Sequence, residues 1–164
     1  MTGLRTLAAA SWPGGEPPAL PGFTASTFNP LVAAVAELCL TRYQGPDRAD
    51  RTGLLLASAG GDRATALAIE TAAAGHRMPP LLFFQSNPNA VLGHLASRWG
   101  LAGPVVAISP REAAAPGRIP GDALELAALL LADGDADQVL VIAAEQAGVE
   151  GGTDHAIAVL VAAG

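Results

Sequence analysis

Large rings are scarce in this chain: aromatic residues make up only 4% of a sequence that is 51% hydrophobic. Its core must therefore be assembled from Ala, Leu and Val, the residues of close helix-on-sheet packing, which points to layered α/β. Cysteine is scarcer still. Cys39 stands alone, which excludes an internal disulfide framework and fits a reducing, cytoplasmic compartment. Lys and Arg form no cluster and the formal net charge is -6, so nucleic acid and anionic membrane surfaces are disfavoured as partners. No apolar stretch approaches the roughly 18 residues of a membrane span. Arg5 followed by Leu7 to Ala10 has the look of a secretory signal, but Ser11 and Pro13 interrupt it too early, and a first strand from Leu4 to Ala10 accounts for it better.

What is present reads as one domain over residues 1–164. Residues 11–27 are crowded with Pro and Gly and form an irregular loop. Asn29-Pro30 has the pattern of a helix start, with Leu31, Val35, Leu38 and Cys39 on its inner face. Leu54 to Ala57 reads as a strand, Gly60-Gly61-Asp62 as its turn into a helix that stops at Gly75. Leu81 to Phe84 reads as extended, and Asn87-Pro88 opens a helix that ends near Gly100. Pro104 to Ser109 forms another strand, while Asp122 and Glu125 have capping-box spacing ahead of Leu124, Leu126, Leu129 and Leu130. Val139 to Ala144 and Ala156 to Ala162 are continuous apolar strands with no room for a helix between them, so the last is expected antiparallel to its neighbour. The order is βαβαβαββ, a five-stranded mixed sheet with helices on both faces.

Local chemistry is sparse. Gly60-Gly61-Asp62 lacks the spacing of a dinucleotide or phosphate loop and reads as a turn with a cap. Asp133, Asp135 and Asp137 alternate, yet the downstream ligands of a calcium loop are missing, and a helix-to-strand turn is the simpler reading. His76, His94 and His155 have no metal spacing, and no G-x-S-x-G elbow supplies a serine nucleophile. Cys39 on a helix face with no cationic neighbour is an inert thiol. No metal or cofactor is implied.

One segment carries more. LLFFQSNPNAVLGHLASRWGLAGPVVAIS, from Leu81 to Ser109, resembles the stretch of β-ketoacyl synthases that leads into their nucleophilic cysteine: an N-x-x-x-G-H helix, then G-L-x-G-P, then a strand. ADGDADQVLVIAAEQ and RTGLLLASAGGD resemble two further strands of that family. The resemblance implies the amino-terminal half of a thiolase-type fold. It departs in two ways. Counting from Gly103-Pro104, the family's cysteine position falls on Glu112 in SPREAAAPGRIPGD, and the sequence stops at Gly164, after the last strand of the first half. Without a thiolate no acyl-enzyme can form, and the family's two histidines belong to its second half.

The family members similar in this respect are the chain-length factors of type II polyketide and aryl-polyene systems, which lack the cysteine and pair with an active ketosynthase. The resemblance therefore implies a truncated, non-catalytic subunit acting with a full-length ketosynthase and, through the complex, an acyl carrier protein, in polyketide or fatty-acid-type biosynthesis. It places Pro104, Val105, Val106, Ala107, Ile108 and Ser109 at the partner interface. It places Leu82, Phe83, Phe84 and Gln85 against the partner's acyl tunnel. Two alternatives stay open: Glu112 as a general base acting on a carrier-bound thioester, and a homodimeric acyl-binding scaffold that uses the same edge strand.

Overall fold

The computed structural model describes residues 3–147 and 152–164. Five strands form one sheet in the order β1-β5-β4-β2-β3: β1 (Leu4–Ser11), β2 (Thr52–Ala57), β3 (Val105–Ile108), β4 (Gln138–Glu145) and β5 (His155–Ala163). β2 runs parallel to both β4 and β3, and β5 is antiparallel to both β4 and β1. The expected mixed sheet and its antiparallel last strand are therefore present.

Every residue of β2 and β4 is buried, as strands covered on both faces require. Alternation divides their side chains between two cores. Leu54, Leu56, Leu140, Ile142 and Leu160 face α1 (Phe28–Arg42) and α4 (Pro88–Trp99). Leu55, Ala57, Val139, Val141 and Val161 face α5 (Gly121–Ala132). Two further helices, α2 (Arg63–Ala74) and α3 (Pro80–Ser86), pack on each other and only lightly on the body.

Several local expectations change. Leu81 to Phe84 is helical, within α3, and not extended. Pro80 stands in the first turn of α3, where its fixed φ and missing N–H suit helix entry, and a four-residue apolar run cannot by itself separate strand from helix. α1 begins at Phe28, with Thr27 as the flanking residue, because the Asn29 side chain is buried and donates to the Gln85 carbonyl at 2.9 Å instead of capping. α5 has no capping box. Pro120 precedes it, and the Asp122 carboxylate accepts from Arg111 N at 2.9 Å and from Ala123 N at 3.1 Å. That helix lies on the sheet most closely through Ala123 and Ala127, with Leu126, Leu130 and Leu131 half-buried beside them: small side chains permit close approach, and Leu129 is left 58% exposed. The helix ending at Ala74 does stop where expected, but the left-handed residue is His76 at φ 54, one position after Gly75. Asp62 and Asn87 open their helices and Gly100 closes one as expected: Asp62 accepts from Thr65 N, Asn87 from Asn89 N, and Gly100 takes φ 66.

Candidate functional site

In an open α/β sheet the carboxyl ends of the parallel strands are where ligands and reactive side chains collect. Here those ends are the turn Ser58 to Gly61 after β2, the loop from Ser109 to Pro120 after β3, and Glu145 at the end of β4. Glu145 is buried, 6% exposed, and its carboxylate takes the Ala59 amide at 2.6 Å, the Gly60 amide at 3.0 Å and the Ser58 hydroxyl at 3.4 Å. Successive amides of a tight turn make an anion cradle, and this one is filled by a side chain of the same chain. Sequence reasoning missed Glu145. It ends an apolar strand whose pattern gives the residue no role, and only the fold brings it over the turn.

A cavity of about 240 Å³ lies beside this turn, between Phe28, Leu56, Gly61, Pro88, Ala107 and Ile108, with Ser58, Ser86 and Ser109 at its polar edges. It falls below the roughly 300 Å³ at which small-molecule sites begin. A larger and more open cleft, about 470 Å³, follows the loop after β3 and is lined by Arg111, Glu112, Arg118, Ile119, Asp122 and Glu125.

Glu112 stands in this exposed loop, while the first turn of α5 begins only at Gly121. Eight residues separate it from the start of that helix. Cys39 sits on the opposite side of the sheet, fully buried in α1, and burial pushes its thiol up to about 11 against the stabilising pull of a backbone hydrogen bond and Arg42. A thiol so held is protonated at neutral pH and not a nucleophile. Asp137 pairs with Arg48 at 3.1 Å and with Arg51 at 3.3 Å, fixing the turn into β4 and agreeing with a structural reading of the alternating aspartates. Among the described residues no group of three or more metal-ligating side chains comes together. No helix among them is long and apolar enough to cross a membrane.

Among the described residues β3 is an edge strand, hydrogen-bonded only to β2. Of the six residues from Pro104 to Ser109, the four from Val105 to Ile108 form it, and Val105 is 42% exposed. Leu82, Phe83, Phe84 and Gln85 all lie on α3 but do not face one way. Phe83 and Phe84 are exposed, Leu82 is half-buried and Gln85 is buried, and the Phe84 ring rests against Phe23 at 5.7 Å. Edge strand and α3 are both reached through α4, which packs on each.

No family model and no curated protein matches the chain. Solved structures do. Over 88% of its length it superposes on 62% of a chain in the complex of a ketosynthase with its chain length factor from Xenorhabdus doucetiae, with a TM-score of 0.64 and 20% identity. It superposes over 87% of its length on 45% of a chain of the ishigamide ketosynthase/chain length factor, with a TM-score of 0.67 and 19% identity. A β-ketoacyl synthase from Burkholderia phymatum is matched over 93% of this chain and 47% of its own, with a TM-score of 0.68 and 18% identity. The α/β architecture described above is thus the fold of part of these ketosynthase structures, and the chain spans about half to three fifths of their length.

Proposed function

We propose that this chain is a non-catalytic, ketosynthase-like subunit that pairs through β3 with an active β-ketoacyl synthase and lends α3 to the wall of its acyl tunnel. The observation that carries the reading is β3 itself: a short apolar strand, bare on its outer side, at the edge of a fold shared with structures of ketosynthase and chain-length-factor complexes. Unpaired backbone donors and acceptors on such an edge favour another strand beside it. Further support comes from the reactive bend. Between Ser109 and Asp122 there is no cysteine, and the buried thiol of Cys39 is remote from it. A subunit of this kind acts by occupying volume, with Phe83 and Phe84 as the bulky groups.

Nothing in the geometry favours a catalytic Glu112. Its side chain is exposed in an open cleft, whereas a general base needs a built pocket to tune it.

Co-expression with a full-length ketosynthase tests the proposal. A stable complex is expected, in which Phe83→Ala or Phe84→Ala lengthens the product while pairing persists. Val105→Lys, which places a charge on the exposed edge, should weaken pairing by about 100-fold without unfolding the isolated chain. Recovery of the chain only as a monomer beside the ketosynthase, with product length unmoved by either Phe substitution, would reject it. Solution mass of the isolated chain separates a self-pairing scaffold from this reading.

A further inference from the structure

The segment from Asp62 to Ser86, which carries α2 and α3, is built inside out. The buried residue of α2 is Thr65 and that of α3 is Gln85, both polar. Leu67, Leu81, Phe83 and Phe84 of the same two helices are 64%, 51%, 56% and 52% exposed. Buried polar groups combined with large exposed apolar ones are the informative departure from ordinary packing. An arm that buries so little apolar surface is not fixed by hydrophobic contact, and a seven-residue helix such as α3 has little stability of its own. Something else sets its direction.

Two of the hydrogen bonds that do so come from consecutive residues at the end of the Pro/Gly-rich loop, and a third runs from Ala64 N in the first turn of α2 to Gln146 Oε1 at 3.2 Å. Ala25 N donates to Gln85 Oε1 at 2.7 Å, and the Ser26 hydroxyl donates to Asp62 Oδ1 at 2.6 Å. Asp62 is the root of α2, where the same oxygen accepts from Thr65 N at 3.0 Å. Gln85 is the far root, near the end of α3, and its backbone carbonyl also accepts from the buried Asn29 side chain at 2.9 Å. Phe23, two residues before Ala25, is 5% exposed and supports the Phe84 ring. One dipeptide thus holds both ends of the arm.

We infer that Ala25 and Ser26 form a clamp on the α2–α3 arm, with Asp62 and Gln85 as positioning residues, so that its apolar face is presented to a partner subunit already ordered. The consequence for a partner rests on the function proposed above; the clamp itself does not. Ordering before contact removes part of the entropic cost of association, which is what a surface of exposed rings and leucines on two slender helices otherwise incurs.

Hydrogen–deuterium exchange on the full chain tests the clamp without any partner. Gln85→Met keeps the side-chain volume and removes the acceptor; it should speed exchange of the Ala25 amide and of the α3 amides about tenfold. Amides of β2 and β4 should exchange as before. Gln85→Glu, which keeps an oxygen in place, should restore slow exchange at Ala25, and Ser26→Ala should loosen the first turn of α2 in the same selective way. Unchanged exchange in Gln85→Met, or uniform acceleration through the sheet, would overturn the clamp. A ketosynthase complex whose product length ignores Phe83→Ala would instead remove the partner reading and leave the exchange result as it stands.

Discussion

A Cβ placed on Gly103 would lie 2.6 Å from the Gly53 amide nitrogen and from the Thr52 carbonyl, backbone atoms that cannot swing aside. The glycine before β3 is there because two backbones touch. Gly103→Ala should therefore destabilise the chain by about 3 kcal/mol, read as a lowered urea midpoint. The opposite change is expected at His76, whose φ of 54 is costly for a residue with a Cβ. His76→Gly should stabilise by about 1 kcal/mol, measured by thermal melting. Cys39 gives a pH signature. Its folded-state pKa is raised from 9.0 to about 11 by burial, so the folded chain holds the thiol proton longer than the unfolded one. The resulting stability is present below pH 9 and is lost as pH rises from 9 to 11, and Cys39→Ala should flatten that fall in urea titrations. Alkylation of the native thiol at pH 8 should follow global unfolding.

At the scale of elements, the strands were the most legible part of the sequence. Val139 to Ala144 and Ala156 to Ala162 are apolar throughout, and such runs between turn residues leave few alternatives in a chain of this length. Helix starts were legible where the capping side chain stays on its own first turn. Asp62 and Asn87 cap as their neighbours suggest, whereas Asn29 was recruited by Gln85, 56 residues away, a bond that no local pattern encodes. The α3 segment was misread because four apolar residues carry no period, and the Gln that follows them is the one that turns inward. Of the candidate site, the sequence pattern gave the strand at β3 and a long loop before α5, whereas the fold set the exposure of Glu112 in that loop and the helical course of Leu82 to Gln85. Glu145 offers the element-scale test of the carboxyl ends: Glu145→Ala would orphan the amides of Ala59 and Gly60. We expect a loss of about 2 kcal/mol and faster proteolysis near the turn at Ser58 to Gly61, seen by limited digestion.

For the molecule as a whole, the two sheet edges differ in kind. β1 borders β5 through an antiparallel ladder with a register irregularity between Thr6 and Ala8, a feature that disrupts an edge for further pairing. β3 is short, regular and parallel to its neighbour. Association with a co-expressed ketosynthase, measured by sedimentation across a concentration series, should therefore respond to Val105→Lys and not to a charge added on β1 at Ala9→Lys. The surface ion pairs of Asp137 with Arg48 and Arg51 are a third to a half exposed and contribute little to this balance, so added salt should alter stability by less than about 1 kcal/mol.

The Glu145 carboxylate also decides what the turn after β2 is free to do. Its amides already have an internal tenant, tied to the end of β4, so an external phosphate or developing oxyanion could reach them only by evicting that tenant. In this chain one of the spots where open α/β sheets take a ligand is stoppered from within.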